Sequence, residues 1–176
     1  MRTITQELFS ELIKKATIKP RLKRELRFVA STANMTPEDW LERELMNVAD
    51  RTGVKGVLLL EPDDELFIVP YELFRGLSNP QTGRSNPVIC DFCRTWQGGS
   101  NAARISFHRD SQSINSVTFL CCADLACSNH VRTKTKASIG SRAQLREDLT
   151  DEQRVERLKD RLRKFINDMG VEPVVN

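Results

Sequence analysis

Five cysteines carry the most pointed chemistry in this 176-residue chain. Four of them fall in two close pairs: Cys90-Asp91-Phe92-Cys93 is a CxxC step, and Cys122-Ala123-Asp124-Leu125-Ala126-Cys127 follows after two short alternating runs. A tetrahedral four-thiolate zinc site is built from such pairs, because each can span one edge of the tetrahedron with sulfurs about 2.3 Å from the ion. The tight CxxC turn also aims backbone N–H groups at the thiolates and so stabilises negative sulfur. One structural Zn2+ on Cys90, Cys93, Cys122 and Cys127 is therefore expected. Asp124 is placed to cap a helix starting near Leu125, which would set Cys127 in a first turn where the helix dipole favours a thiolate.

One cysteine of the adjacent Cys121 and Cys122 is spare. In Ser116-Val117-Thr118-Phe119-Leu120-Cys121-Cys122, strand alternation puts Val117, Phe119 and Cys121 on one face. Cys121 then continues an apolar row as a small hydrophobe, and Cys122 is the ligand. His108 and His130 are alternative ligands, but a lone His on a strand or helix is more often structural. A disulfide framework needs an even count and a secretory segment, and Met1-Arg2-Thr3-Ile4-Thr5-Gln6-Glu7 has no apolar stretch with a cleavage site, so a cytoplasmic setting is expected. A redox CxxC would open a helix after a strand in a βαβ unit, a setting that does not surround Cys90.

Catalytic chemistry is not assembled anywhere. Four protein thiolates leave zinc no open position for water. Gly98-Gly99-Ser100 lacks the Lys and the flanking strand and helix of a phosphate loop, and Asp63 and Asp64 sit in a turn without a neighbouring base. The expectation is a protein that is not an enzyme and takes no small-molecule substrate.

The elements that must position the cysteines follow from periodicity. Thr3-Ile4-Thr5-Gln6 reads as a helix start, followed by an apolar stripe of Ile4, Leu8, Leu12, Phe9 and Ile13. Pro20 begins a second helical segment over 21–31 with Leu22, Leu26 and Val29 on one side; its Arg and Lys residues read as a solvated face. Thr36 at N-cap, Pro37 at N1 and acids in the first turn start a third helix, whose core face is Leu41, Leu45 and Val48, helped by Trp40 or Met46. After Gly53 and Gly56 the period changes. Val57-Leu58-Leu59-Leu60 and Leu66-Phe67-Ile68-Val69 form a hairpin around an acidic, solvated turn, with Pro70 closing the second strand.

The stretch from Gly76 to Pro87 is rich in Gly, Pro, Asn and Ser, so a linker is expected over 80–87, dividing an N-terminal domain (1–79) from a second domain (88–176). Past the first cysteine pair, Ala103 to His108 and Ile114 to Cys121 alternate as strands around residues 109–113, Ile105 and Phe107 opposing Val117 and Phe119. Knuckle, hairpin and helix in that order describe a treble-clef zinc finger. Residues 133–141 read as a small polar basic loop. Thr150-Asp151-Glu152-Gln153 is a capping box for a last helix with Val155, Leu158, Leu162, Phe165 and Met169 in a stripe, ended by Gly170. The fold class is thus α+β: a mainly helical N-terminal region with a β-hairpin, then a treble-clef zinc finger with four cysteine ligands and a C-terminal helix.

Composition is that of a globular chain, 39% hydrophobic and 29% charged, with no run long enough to span a membrane. The net charge of +3 is modest and comes from the second half, since residues 1–89 hold 13 basic and 13 acidic side chains.

Taken together, Cys90-Asp91-Phe92-Cys93 and Leu120-Cys121-Cys122-Ala123-Asp124-Leu125-Ala126-Cys127-Ser128-Asn129-His130-Val131-Arg132 resemble the treble-clef domain of the elongation factor G-binding proteins, the FusB/FusC fusidic acid resistance family and its relatives. The resemblance covers residues 88 to 135 and aligns Cys122 and Asp124 with the family's ligand and acid. It implies a zinc-held module that contacts elongation factor G and promotes its release from the ribosome. The N-terminal half departs from the helical bundle of the resistance proteins, being shorter and holding a hairpin.

Two functions follow. In the first, the finger binds elongation factor G or a related ribosomal partner, with Phe92 exposed at the knuckle tip and Arg132, Lys134 and Lys136 as partner-binding residues; Trp96 is a further candidate anchor and Phe107 is assigned to the core. In the second, the basic residues from Arg132 to Lys136 and the Arg-rich last helix hold RNA phosphates, and the interspersed acids weigh against that as the sole role.

Overall fold

A computed structural model describes residues 1–77, 81–83, 86–108 and 116–175. The expected turn over 109–113, Ile114 and part of the 80–87 linker lie outside these residues.

A five-stranded antiparallel sheet organises the chain, in the order β1-β2-β3-β6-β7. Its strands are β1 (Leu45–Ala49), β2 (Lys55–Leu60), β3 (Phe67–Arg75), β6 (Ala102–His108) and β7 (Ser116–Cys122). A separate two-stranded ribbon pairs β4 (Val88–Ile89) with β5 (Trp96–Gln97). The halves on either side of residues 80–87 both supply the large sheet, because Leu73 of β3 pairs with Ile105 of β6.

Both faces are covered over β1 to β3, where alternation sorts the side chains between two cores, while the outer face of β6 and β7 is open, with Arg104, Thr118 and Leu120 exposed. Leu58, Leu60, Val69, Ile105 and Phe107 join one core with the last helix, α7 (Asp151–Met169). Val57, Leu59 and Ile68 join the other with the N-terminal helices. The register of the second hairpin is as expected, Ile105 facing Phe119 and Phe107 facing Val117.

The N-terminal helices are shorter than their periodicity suggests. Thr5 caps α1 (Gln6–Lys15), which buries Phe9, Leu12 and Ile13. The helix expected over 21–31 is two, α2 (Pro20–Glu25) and α3 (Phe28–Thr32). Leu26 is extended between them and the Arg27 N–H donates to Ala49 O at 3.0 Å, so a bond to the end of β1 replaces a helical one.

Thr36 and Pro37 do open α4 (Pro37–Leu41) with a full capping box. It stops after five residues, and the expected core face of Leu41, Leu45 and Val48 is corrected: Leu41 is 76% exposed, while Leu45 and Val48 belong to β1, opposite Leu60 and Val57. Pro70 does not close β3 either. It sits opposite Val57 inside a strand that continues to Arg75.

The turn after β2 is less solvated than expected. Glu61 is buried and paired with Arg2, and Asp63 binds Arg163 of α7 at 2.8 Å. Thr150 and Gln153 form the capping box of α7, whose Leu158, Leu162, Phe165 and Met169 are buried and which Gly170 ends in the left-handed conformation, φ 63°.

Candidate metal centre

Two short structures present the four sulfurs. Cys90 leaves β4, its N–H donates to Thr95 O at 3.0 Å, and its carbonyl accepts from Arg94 N at 3.0 Å. Arg94 has φ 60°, the left-handed residue that returns the knuckle into β5 and turns Cys93 back toward Cys90. Cys122 ends β7. The chain then turns through Leu125, φ 53°, and enters α5 (Cys127–Val131) with Cys127 as its first residue. The helix thus begins two residues later than expected, and Asp124 caps the turn before it by accepting from Ala126 N at 3.0 Å.

The knuckle is tied to β7 by a reciprocal pair of bonds. Asp91 N donates to Leu120 O at 2.8 Å and Leu120 N donates to the Asp91 carboxylate at 2.7 Å. That contact brings the cysteine pairs together. Sγ separations are 3.8 Å for Cys90–Cys127, 3.5 Å for Cys93–Cys122 and 3.6 Å for Cys122–Cys127. A tetrahedron with Zn–S bonds of about 2.3 Å has edges of about 3.8 Å, so the four sulfurs fit the ion.

Their electrostatics point the same way. Burial opposes a charge on Cys90, yet contacts from the Cys122, Cys127 and Cys93 thiols hold its pKa well below the ordinary value. Cys127 is pushed up by Cys122, Cys90 and Cys93. Cys122 is lowered by its contact with Cys127, but Cys90, Cys93 and burial outweigh this and push it up. Thiols this close cannot all ionise alone, and only a cation among them lets every sulfur carry charge. All four are at most 1% exposed, so the centre is closed to water and structural. These four cysteines form a binding site for one zinc ion.

Cys121 lies on the other side of its strand in the same core as Phe107, where burial pushes its thiol up. His130 lies outside the four-sulfur group, although its ring comes near Cys122 and Asp124. Its Nδ1 meets Thr135 Oγ1 at 2.6 Å and its Nε2 meets Asp124 at 3.2 Å, so it braces the turn that carries Cys122. His108 is exposed at the end of β6, outside the sulfur cluster.

The expected partner residues fare unequally. Phe92 is 3% exposed rather than at an open tip, because α7 brings Phe165 edge-on to it, centroids 5.6 Å apart, while Phe119 and Phe107 close the cluster. Trp96 is half-buried, its ring against Gly98 and its backbone N–H on Ser141 Oγ at 2.8 Å. Arg132 is committed to Glu44 and Lys134 to Glu42. Lys136 is exposed at the first turn of α6 (Lys136–Leu145).

That helix replaces the loop expected over 133–141. Thr135 and Ser138 form its capping box, and it buries the small polar Ser138 and Ser141 while turning Ile139, 59% exposed, outward beside Lys136. Sequence reasoning passed over Ile139 because a helix whose inner face is serine has no apolar stripe to read.

The family model described as FBP C-terminal treble-clef zinc-finger matches residues 15–169, well over half of the chain. No curated protein and no solved structure matches it.

Proposed function

We propose, for a chain that belongs to the FBP C-terminal treble-clef zinc-finger family, a non-catalytic cytoplasmic binding protein whose metal-held module recognises elongation factor G and promotes its release from the ribosome. The family match is the observation that carries this reading, and the closed four-sulfur centre agrees with it, since such zinc orders a surface rather than activating water. The recognition surface in this reading is the outer side of α5 and α6. Lys136 meets acidic groups of the factor, Ile139 supplies the apolar contact, and Arg132 and Lys134, already paired with Glu44 and Glu42, hold the segment in place. Phe92, being in the core, acts only by shaping the knuckle.

Titration calorimetry of the zinc-loaded protein against purified elongation factor G, at low and moderate salt, tests the reading. Saturable one-to-one binding that survives added salt and weakens in Lys136→Glu supports it. No heat at either salt removes the factor as a direct partner. Binding of an RNA oligonucleotide that falls by orders of magnitude with salt would favour the RNA-binding alternative.

A further inference from the structure

Far from the metal, an open groove of about 670 Å³ runs between α1 and α3. Its floor is apolar: Phe9 and Phe28 stack with centroids 4.4 Å apart, and Ile13 lies one helical turn beyond Phe9. Val29, 65% exposed, stands on its wall. The charged residues lining it are Lys23 and Arg27, and no carboxylate lines it. Lys23 is occupied, donating to Ala16 O at 2.8 Å at the end of α1.

A second hollow of about 310 Å³ shares Arg27 and Ala30 with the first and extends to Arg51. Its one carboxylate, Asp50, is already taken by the Thr52 hydroxyl at 2.8 Å and Val54 N at 3.2 Å. Among the described residues, neither the Arg27 nor the Arg51 guanidinium has a hydrogen-bond or ion-pair partner.

We propose that this trough is a docking site for an acidic amphipathic helix of a partner protein, a site separate from the zinc module. Val29, exposed on the wall above the recessed Phe9 and Phe28, receives an apolar side chain of a helix laid in the groove. Two uncompensated guanidiniums along one edge ask for carboxylates on the flank of that helix, where bidentate pairing gives register. The floor suits no base or membrane. Phe9 and Phe28 present their faces to each other rather than to a nucleobase, and at 5% exposure each they are recessed below the rim.

The test is selection of displayed helical peptides, with a fixed i, i+3, i+4, i+7 leucine stripe and randomised flanking positions, on the zinc-loaded protein. The expected result is enrichment of Asp and Glu on one flank, and affinity of the selected peptides about tenfold weaker in Arg27→Glu/Arg51→Glu. Ala30→Trp, which fills the trough, abolishes binding. Exchanging two exposed arginines keeps the experiment readable if the tryptophan variant does not fold. Selected peptides without acidic enrichment, or binding unchanged by the charge reversal, overturn the proposal. So does groove-dependent binding of phosphatidylserine vesicles or an oligouridine in place of any peptide.

Discussion

Arg132 and Glu44, 88 positions apart, form a two-pronged ion pair, Nη1 to Oε2 at 2.9 Å and Nη2 to Oε1 at 2.5 Å. It joins the end of the helix that bears Cys127 to the start of the edge strand β1, and Ser128 Oγ on the same helix accepts from Glu44 N at 3.0 Å. The metal module and the sheet are thereby locked at one point.

Removing the arginine leaves a carboxylate that is 3% exposed without its partner. Arg132→Ala is expected to destabilise the protein by about 3 kcal/mol, since breaking a buried pair strands a charge. Urea denaturation checks it, and a loss below about 1 kcal/mol would place the pair with ordinary surface bridges.

The metal assignment separates neighbours. Cys122→Ser should lose zinc and the order of the knuckle, because structural zinc supplies much of a small module's folding free energy. Cys121→Ala should keep full zinc at a stability cost of about 1 kcal/mol. Zinc stoichiometry by elemental analysis decides, and full retention in Cys122→Ser reverses the assignment.

Phe92 touches Phe107, Phe119 and Phe165 at centroid distances of 6.5, 5.7 and 5.6 Å. Phe92→Ala should cost about 3 to 5 kcal/mol through the cavity it leaves. A change in partner affinity with undiminished thermal stability would instead restore it to the surface.

At Gly56 a Cβ would lie 2.5 Å from Val48 O and 2.7 Å from the Tyr71 hydroxyl. Gly56→Ala must therefore push β1 from β2 or displace the tyrosine, at about 1 to 3 kcal/mol. A melting temperature equal to that of the parent would show the strands yield freely there.

Acid should act through Asp50. Burial opposes its ionisation, but the Thr52 hydroxyl and the N–H groups of Lys55, Val54 and Gly53 outweigh it and hold the pKa below the usual carboxylate value. A depressed folded pKa gives stability that is present above the unfolded value, about 3.9, and lost as pH falls through the folded one. Asp50→Asn should be less stable than the parent at pH 7, the gap closing toward pH 2 in thermal melts. A gap constant with pH would sink this account.

Much of the site was readable because its determinants are local. A CxxC turn, the alternation that sets Cys121 apart from Cys122, and the caps of α7 each act within a few residues. What was misread depends on partners distant in sequence. Leu41, Leu45 and Val48 fit a helical spacing, but Leu45 and Met46 point into different cores because both faces of β1 are covered, so its alternation is invisible to a test that expects one polar face. Phe92 looked exposed because what buries it, Phe165, arrives with the last helix. Arg132 looked free for a partner because Glu44 lies 88 residues earlier.

The pairing of β3 with β6 also sets an order of events during synthesis. Strands β1 to β3 leave the ribosome first and can close on the N-terminal helices, yet the outer edge of β3 from Glu72 to Arg75 waits for residues 103–106. Until then the nascent chain shows an unpaired edge beside Phe74, the kind of edge that recruits other strands. Only when Cys127 has followed Cys122 out can the metal be captured with all four sulfurs. The four-sulfur site is thus completed only after the last strand of the sheet has emerged.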